Sequence, residues 1–224
     1  VEVVGVSSFD GRVDVVVGKQ IERVPGCALR AIATGYPRVV VDLGTGDGRF
    51  AYHLARRNAN AFVIAVDAAA ERMRDSSFRA GRKPVRGGVD NVVYLRAAVD
   101  DLPDALRGIA DEIWILLPWG RLLEVVMRPD VRGLERVVSL GKPGAWLRVR
   151  VNGSALASSG RHLAASADLE AERSRLATLY AWSGLSVRRL AWGREVVPTS
   201  WGKRLAHGRD PRVLSLDAVV LRSG

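Results

Sequence analysis

The stretch VVVDLGTGDGRF, Val39 to Phe50, passes within twelve residues from bulky apolar side chains to a loop with almost none. The apolar run reads as a strand buried on both faces. The loop after it carries glycine at alternate positions, Gly44, Gly46 and Gly48. Glycine reaches backbone angles closed to other residues, and its missing side chain lets a ligand lie against the backbone. A helix is expected to begin near Asp47, which brings a helix N-terminus to that ligand. Asp67 closes the next apolar run, AFVIAVD, twenty positions after Asp47. A carboxylate there can accept both hydroxyls of a ribose, so a nucleoside-containing cofactor is implied.

Loops of this type serve both dinucleotides and S-adenosylmethionine (SAM). The dinucleotide pattern needs G-x-G-x-x-G, whereas this loop spaces its glycines at 44, 46 and 48 and adds carboxylates at Asp42 and Asp47. Two carboxylates repel a pyrophosphate but suit a cationic sulfonium with its amino group, which favours SAM over a nicotinamide dinucleotide. Asp100 or Asp101, after the third strand, is placed to meet the adenine amino group or to cap the next helix.

Outward from the loop, the runs RVVVDL (38–43), AFVIAVD (61–67), NVVYLRA (91–97) and EIWILLP (112–118) read as parallel strands, with helices between the early ones. A helical region to about Leu140 follows, then a fifth strand in GAWLRVRVN. The stretch GSALASSGRH reads as a linker. An amphipathic helix over ADLEAERSRLATLYAWSG carries Leu169, Leu176 and Leu179 and stops at Gly184. LSVRRLAWG, a long basic loop and RVLSLDAVVL complete seven strands, a doubly wound sheet with a terminal antiparallel pair. Residues 1–36 read as a hairpin, VEVVGV and VDVVVG around SSFDGR, and then an irregular helix broken at VPG. This N-terminal extension is separated from a domain over 37–224, with no internal repeat or domain linker.

The chain has 224 residues, 48% apolar, enough to bury a large core. Its net charge of +10 attracts polyanions, nucleic acid first among them. A lone cysteine, Cys27, forms no internal disulfide and reads as a buried packing residue. No Cys/His cluster has metal-ligand spacing, so a metal-free site is expected. The lack of an internal disulfide makes the cytoplasm the expected compartment; no run suits a membrane span, and no basic start leads into an apolar signal core. The chain starts at Val1, and its natural amino terminus is expected upstream. Nothing calls for an oligomer, so a monomer is expected.

The fourth strand ends in ILLPWG, at the edge where such sheets bind ligands. Methyltransferases that act on exocyclic amines carry Asn or Asp there, then Pro-Pro and an aromatic residue. Leu116-Leu117-Pro118-Trp119 offers no side chain to orient an amine or take its proton. A ring nitrogen such as adenine N1 needs neither, only in-line alignment with the methyl group. Stacking between aromatic faces supplies that alignment at about 1–3 kcal/mol per base. Trp119 is one candidate face and Trp201, in PTSWGKRLAHGR, the other. Trp114, Trp146, Trp182 and Trp192 read as packing residues. His53, His162 and His207 are scattered and take no catalytic role, and Glu124 reads either as helix surface or as a residue that orients a group near the pocket.

The motifs DLGTGDGR, GG-x-x-NVV, LLPWG with LLE just after it and, above all, SWGKRLAHGR resemble the aminoglycoside-resistance 16S ribosomal RNA methyltransferases of the kanamycin–apramycin type, which modify adenine N1 in the decoding site. The resemblance spans about Val39 to Arg209. It implies a class I SAM-dependent methyltransferase fold, Rossmann-like with a seven-stranded, mostly parallel sheet and an N-terminal β-hairpin. It implies a target adenine flipped between two tryptophans, which fall on Trp119 and Trp201. Its cofactor contacts fall on Asp42, Gly44, Asp67, Asp100, Pro118 and Thr199, to which the loop reading adds Gly46. It places the RNA surface on FRAGRKPVRGG and on the loop bearing Trp201, although some relatives are lysine-rich where this chain has Phe78 and Arg79.

The charges agree with that surface. Arg79, Arg82, Lys83 and Arg86 crowd a Pro/Gly-rich loop, and Lys203, Arg204 and Arg209 follow Trp201. Flipping a base costs a few kcal/mol, which backbone contacts to a folded RNA offset. The expected partner is therefore a whole 30S subunit. The alternatives are a class I methyltransferase acting on transfer RNA or a small molecule, and a non-catalytic RNA-binding relative.

Overall fold

The structure is a computed structural model and describes residues 11–158, 166–193 and 212–221. Its centre is the strand β3 (Arg38–Leu43), whose last five residues are all buried. A strand with apolar side chains on both faces needs a layer of helices on each side, and the chain supplies them. β4 (Ala61–Asp67) pairs parallel with β3 on one side, with Leu43 opposite Val66. β6 (Ala110–Leu116) pairs parallel on the other, with Asp42 opposite Trp114. The strand order reverses at β3, so a crevice opens at the carboxyl ends of β3, β4 and β6.

β5 (Val92–Arg96) extends the sheet beyond β4, and β7 (Gly141–Asn152) extends it beyond β6. The last strand, β9 (Val213–Val220), lies antiparallel between β7 and β8 (Leu185–Gly193). These seven strands form the expected doubly wound sheet with its terminal antiparallel pair. On one face, α2 (Arg49–Arg57) and α3 (Ala70–Ala80) pack Tyr52, Ala55 and Met73 against Val63, Ala65 and Tyr94. On the other face a larger core gathers α1 (Gly26–Thr34), α4 (Gly120–Met127), α5 (Val131–Ser139) and α7 (Ser166–Trp182) around Val41, Ile64, Ile113 and Val149. The two sets alternate along β4, the period of two that a pleated strand dictates.

The N-terminal hairpin exists one strand later than expected. It pairs β1 (Arg12–Val17) with β2 (Gln20–Pro25), and Val17 faces Gln20 across a two-residue turn at Gly18-Lys19. Gly18 takes φ 58°, which suits a tight turn, whereas SSFDGR is not the turn between these strands. VEVVGV lies outside the described residues. QIERVP, expected in a broken helix, is therefore strand, and α1 starts behind Pro25. The hairpin also joins the main sheet: Val15 pairs antiparallel with Leu95, and the Arg96 guanidinium donates to the Asp14 carboxylate beside it. Among the described residues the sheet thus has nine strands, in the order β2-β1-β5-β4-β3-β6-β7-β9-β8, instead of seven with a separate hairpin.

The region after Trp119 is two helices, because Pro129 cannot continue α4 and Asp130 caps α5 by accepting from the Gly133 amide at 2.6 Å. The linker GSALASSGRH begins with a short helix, α6 (Gly153–Ser158), where Asn152 Oδ1 accepts from the Ser154 amide at 2.9 Å. Two packing assignments also change. Trp182, at the end of α7, is 69% exposed, and Cys27, in the first turn of α1, is exposed.

Candidate active site

The glycine loop is held to the end of β4 by its own backbone: the Gly44 and Thr45 amides both donate to the Val66 carbonyl, at 2.8 and 3.0 Å. Gly44, Gly46 and Gly48 have φ of 74°, 62° and 70°, in the left-handed region that favours glycine. The three are bare for different reasons. A Cβ on Gly44 would meet Leu122 at 2.5 Å, and one on Gly48 would meet Tyr94 at 2.6 Å. A Cβ on Gly46 would meet nothing within 4 Å, because that position faces open space. Gly48 is also the N-cap of α2, which begins at Arg49.

Asp67 is tied into the same loop. Its Oδ2 accepts from the Gly46 amide at 2.8 Å and its Oδ1 from the Ala69 amide at 2.9 Å. Each oxygen keeps a lone pair for another donor, so the carboxylate is oriented before any ribose arrives. Asp42 sits behind the loop instead of on the cavity wall, 1% exposed. Its Oδ2 accepts from the Thr45 hydroxyl, while its Oδ1 is buried with no hydrogen-bond partner among the described residues. Burial pushes its pKa up to about 7; the Thr45 hydrogen bond opposes the rise, and Asp67 and Asp47 add to it. A buried carboxylate with an unsatisfied oxygen calls for a donor, and a cationic one meets it best.

Across the crevice, β6 ends in a sharp turn. Leu117 has φ 53°, the one non-glycine residue in the left-handed region among the described residues, and its amide donates to the Arg150 carbonyl at 2.7 Å. Such a backbone costs about 1–3 kcal/mol and tends to mark functional sites. Here it swings Pro118 and Trp119 out of the strand, and Trp119, the N-cap of α4, is 47% exposed. Between the two walls lies a cavity of about 340 Å³, a size proper to a small-molecule site. Gly44, Gly46, Asp67, Asp100, Pro118 and Trp119 all line it, so the fold brings these sequence candidates together.

The cavity lining also includes two cations that motif reading missed, Arg72 and Arg121. Arg72 lies in the first turn of α3 and carries no sequence signal. Arg121 follows the PWG motif by one residue, and that proximity was the available clue. Arg121 holds Asp100 through paired hydrogen bonds that keep its carboxyl below the usual range.

Arg79, Arg82, Lys83 and Arg86 do not line the cavity. They form a basic shelf at the end of α3, beside the first turns of α2. The Arg79 guanidinium lies 5.5 Å from the Tyr52 ring centroid, Arg82 lies 5.1 Å from that of Phe78, and Tyr52 Oη donates to the Gly87 carbonyl at 2.7 Å. Thr199, Trp201, Lys203, Arg204 and Arg209, with His162 and His207, lie outside the described residues. Trp114 packs on Phe50 and Trp192 on the main core, as expected, and His53 and Glu124 are exposed on their helices. Among the described residues no three His, Cys, Asp or Glu side chains group as a metal site, and no helix is long and apolar enough to cross a membrane.

These features fit SAM: a bare Gly46 facing the cavity, an oriented Asp67 and an orphaned carboxylate oxygen behind the loop. Comparison with known proteins points the same way. The NpmA family model, described as 16S rRNA (adenine(1408)-N(1))-methyltransferase, matches residues 14–220. The 16S rRNA (adenine(1408)-N(1))-methyltransferase of Streptoalloteichus tenebrarius is 36% identical over 203 residues, 87% of this chain and 93% of that protein. Among solved structures, the aminoglycoside resistance methyltransferase NpmB1 superposes with a TM-score of 0.79 at 33% identity, over 93% of this chain and 99% of that one. A mutant of the Catenulisporales acidiphilia 16S rRNA (adenine(1408)-N(1))-methyltransferase with cosubstrate SAM superposes with a TM-score of 0.81 at 30% identity, covering 93% and 97%.

Proposed function

Because the chain belongs to the 16S rRNA (adenine(1408)-N(1))-methyltransferase family, we propose a division of labour among its residues for methylating that adenine in assembled 30S subunits. The protein is a SAM-dependent methyltransferase of the class I fold. Bound SAM supplies an electrophilic methyl group: adenine N1 forms the new N–C bond as the C–S bond breaks, leaving S-adenosylhomocysteine and a cationic base. N1 attacks with its own lone pair and loses no proton, so the chain provides alignment instead of a general base.

Asp67 accepts the ribose hydroxyls and Asp100 the adenine amino group. Gly44 and Gly46 present bare backbone to the methionine end, with Pro118 and Thr199 completing the contacts. Asp42, behind the loop, acts through it: it holds Thr45 and sets a negative potential under the cofactor's ammonium end. Trp119 and Trp201 stack the flipped adenine. Arg79, Arg82, Lys83, Arg86, Lys203, Arg204 and Arg209 hold RNA phosphates. The 37–224 domain carries all these residues and 1–36 is its N-terminal extension, working as a metal-free monomer in the cytoplasm. The added methyl group and charge disrupt aminoglycoside docking and so confer resistance.

The observation that carries this reading is Trp119, half-exposed at the rim of the cavity that the glycine loop and Asp67 enclose. The test is methyl transfer from labelled SAM to 30S subunits, naked 16S RNA, transfer RNA and 50S subunits, with primer extension to find the modified base. A stop at adenine 1408 in 30S alone is expected. Label in naked RNA as efficiently as in 30S would overturn the assembled-subunit substrate.

A further inference from the structure

Arg121 is the second residue of α4 and part of the cavity wall. Its Nε lies 2.9 and 3.2 Å from the two carboxylate oxygens of Asp100, and its Nη2 lies 3.0 Å from Oδ1. Its remaining nitrogen, Nη1, lies 2.7 Å from Oδ2 of Asp130. Asp130 is itself fixed, since its Oδ1 caps α5. One guanidinium therefore joins three segments: the loop after β5, the turn that carries Trp119, and the start of α5.

Ion pairs this exposed add little to stability, so stability is a poor reason for the arrangement. Direction is a better one. A planar guanidinium gripped from one side by Asp130 fixes the plane of the carboxylate on its other side, which a lysine's point charge cannot do. Asp100 stands half-exposed on a loop, and without such a brace any ligand that used it would bear the cost of ordering it. Braced, it still has lone pairs for one further donor.

We propose that Arg121 is a positioning residue of the cofactor site, which holds the Asp100 carboxylate ready to accept a hydrogen bond from the exocyclic amino group of the cofactor's adenine. The inference rests on the assignment of Asp100 to that group made above. It makes Arg121 a determinant of the preference for adenine over a purine that lacks the amino group, although Arg121 itself touches neither.

The test is calorimetric binding by the full chain of two ligands, SAM and the analogue with unsubstituted purine in place of adenine, using wild type, Arg121→Ala, Arg121→Lys and Asp100→Ala. Wild type should prefer SAM over the analogue by about tenfold, the value of one hydrogen bond to a charged group. Arg121→Ala should lose most of that preference by weakening SAM alone, as Asp100→Ala does, and Arg121→Lys should keep part of it. Equal weakening of both ligands in Arg121→Ala would show mere wall packing and overturn the proposal; so would tighter SAM binding, which would mean that the guanidinium competes for the adenine's place. A wild type that binds both ligands alike would remove the Asp100 contact and this proposal with it. A wild type that binds neither would strike the cofactor site itself.

Discussion

The two walls of the crevice are built on opposite principles. The glycine-loop wall is backbone: Gly44 and Thr45 are bonded to Val66, Gly46 to Asp67, and the carboxylate beneath them is buried. The Pro-Trp-Gly wall is side chain: a strained Leu117 throws out a half-exposed tryptophan, and the arginine behind it is exposed. A wall of fixed amides and oriented carboxylates suits a small ligand that is always the same. A protruding aromatic suits a base that must be pulled from a large, folded partner and stacked. If cofactor and target depend on different residues, as proposed, substitutions should separate them.

The largest expected effect on the backbone wall is at Asp67. Asp67→Ala leaves the Gly46 and Ala69 amides without their acceptor and removes the proposed ribose contact, so SAM affinity should fall by about a hundredfold by calorimetry. Unchanged affinity would break the assignment of this wall to the cofactor. Gly46→Ala comes next. Its Cβ meets no protein atom but enters the cavity, and φ 62° makes alanine strained by about 1 kcal/mol. Thermal stability should fall modestly while SAM binding weakens by about tenfold, a loss that strain shared by free and bound protein does not explain.

Asp42 gives a pH test of the backbone wall. Its carboxyl titrates near 7 when folded against 3.8 unperturbed, a raised value. Its contribution to stability is therefore full below the unfolded pKa and is lost as pH rises from about 4 through 7. Binding of an ammonium group follows the opposite course, because it needs the ionised form. SAM affinity should rise several-fold between pH 6 and 8 in wild type and stay flat in Asp42→Asn; a rise retained in Asp42→Asn would assign the titration elsewhere. The smallest effects belong to the basic shelf. Lys83→Ala and Arg86→Ala should each lower the salt slope of 30S binding by about one, with SAM affinity unchanged. An unaltered slope would take these residues off the RNA surface.

Much of this architecture was legible in the sequence, because central strands that are apolar on both faces must lie in a parallel sheet between two layers of helices. The glycine loop and Asp67 were legible for the same reason: each stands at the end of such a strand. The hairpin was harder. VEVVGV, VDVVVG and QIERVP all alternate, and only the choice of Gly18-Lys19 as the turn decides which two pair. α6 was hidden in small residues that read equally as linker, with Asn152 as its unnoticed cap. Cys27 and Trp182 looked like packing residues, but each lies on the outer side of its helix. The Arg121 clasp could not be seen at all, since its partners stand twenty-one residues before it and nine after. Long-range pairing of charges leaves no periodic trace.

On the proposed reading, Trp119 serves the target base and not the cofactor. The direct measurement is Trp119→Ala examined two ways, by calorimetric SAM binding and by single-turnover methyl transfer to 30S subunits with SAM saturating. SAM affinity within about twofold of wild type, with transfer slowed at least a hundredfold, is the predicted result; a lost stacking partner and a misaligned N1 act together on the rate alone. SAM affinity lost in step with methyl transfer would contradict it and make Trp119 part of the cofactor wall.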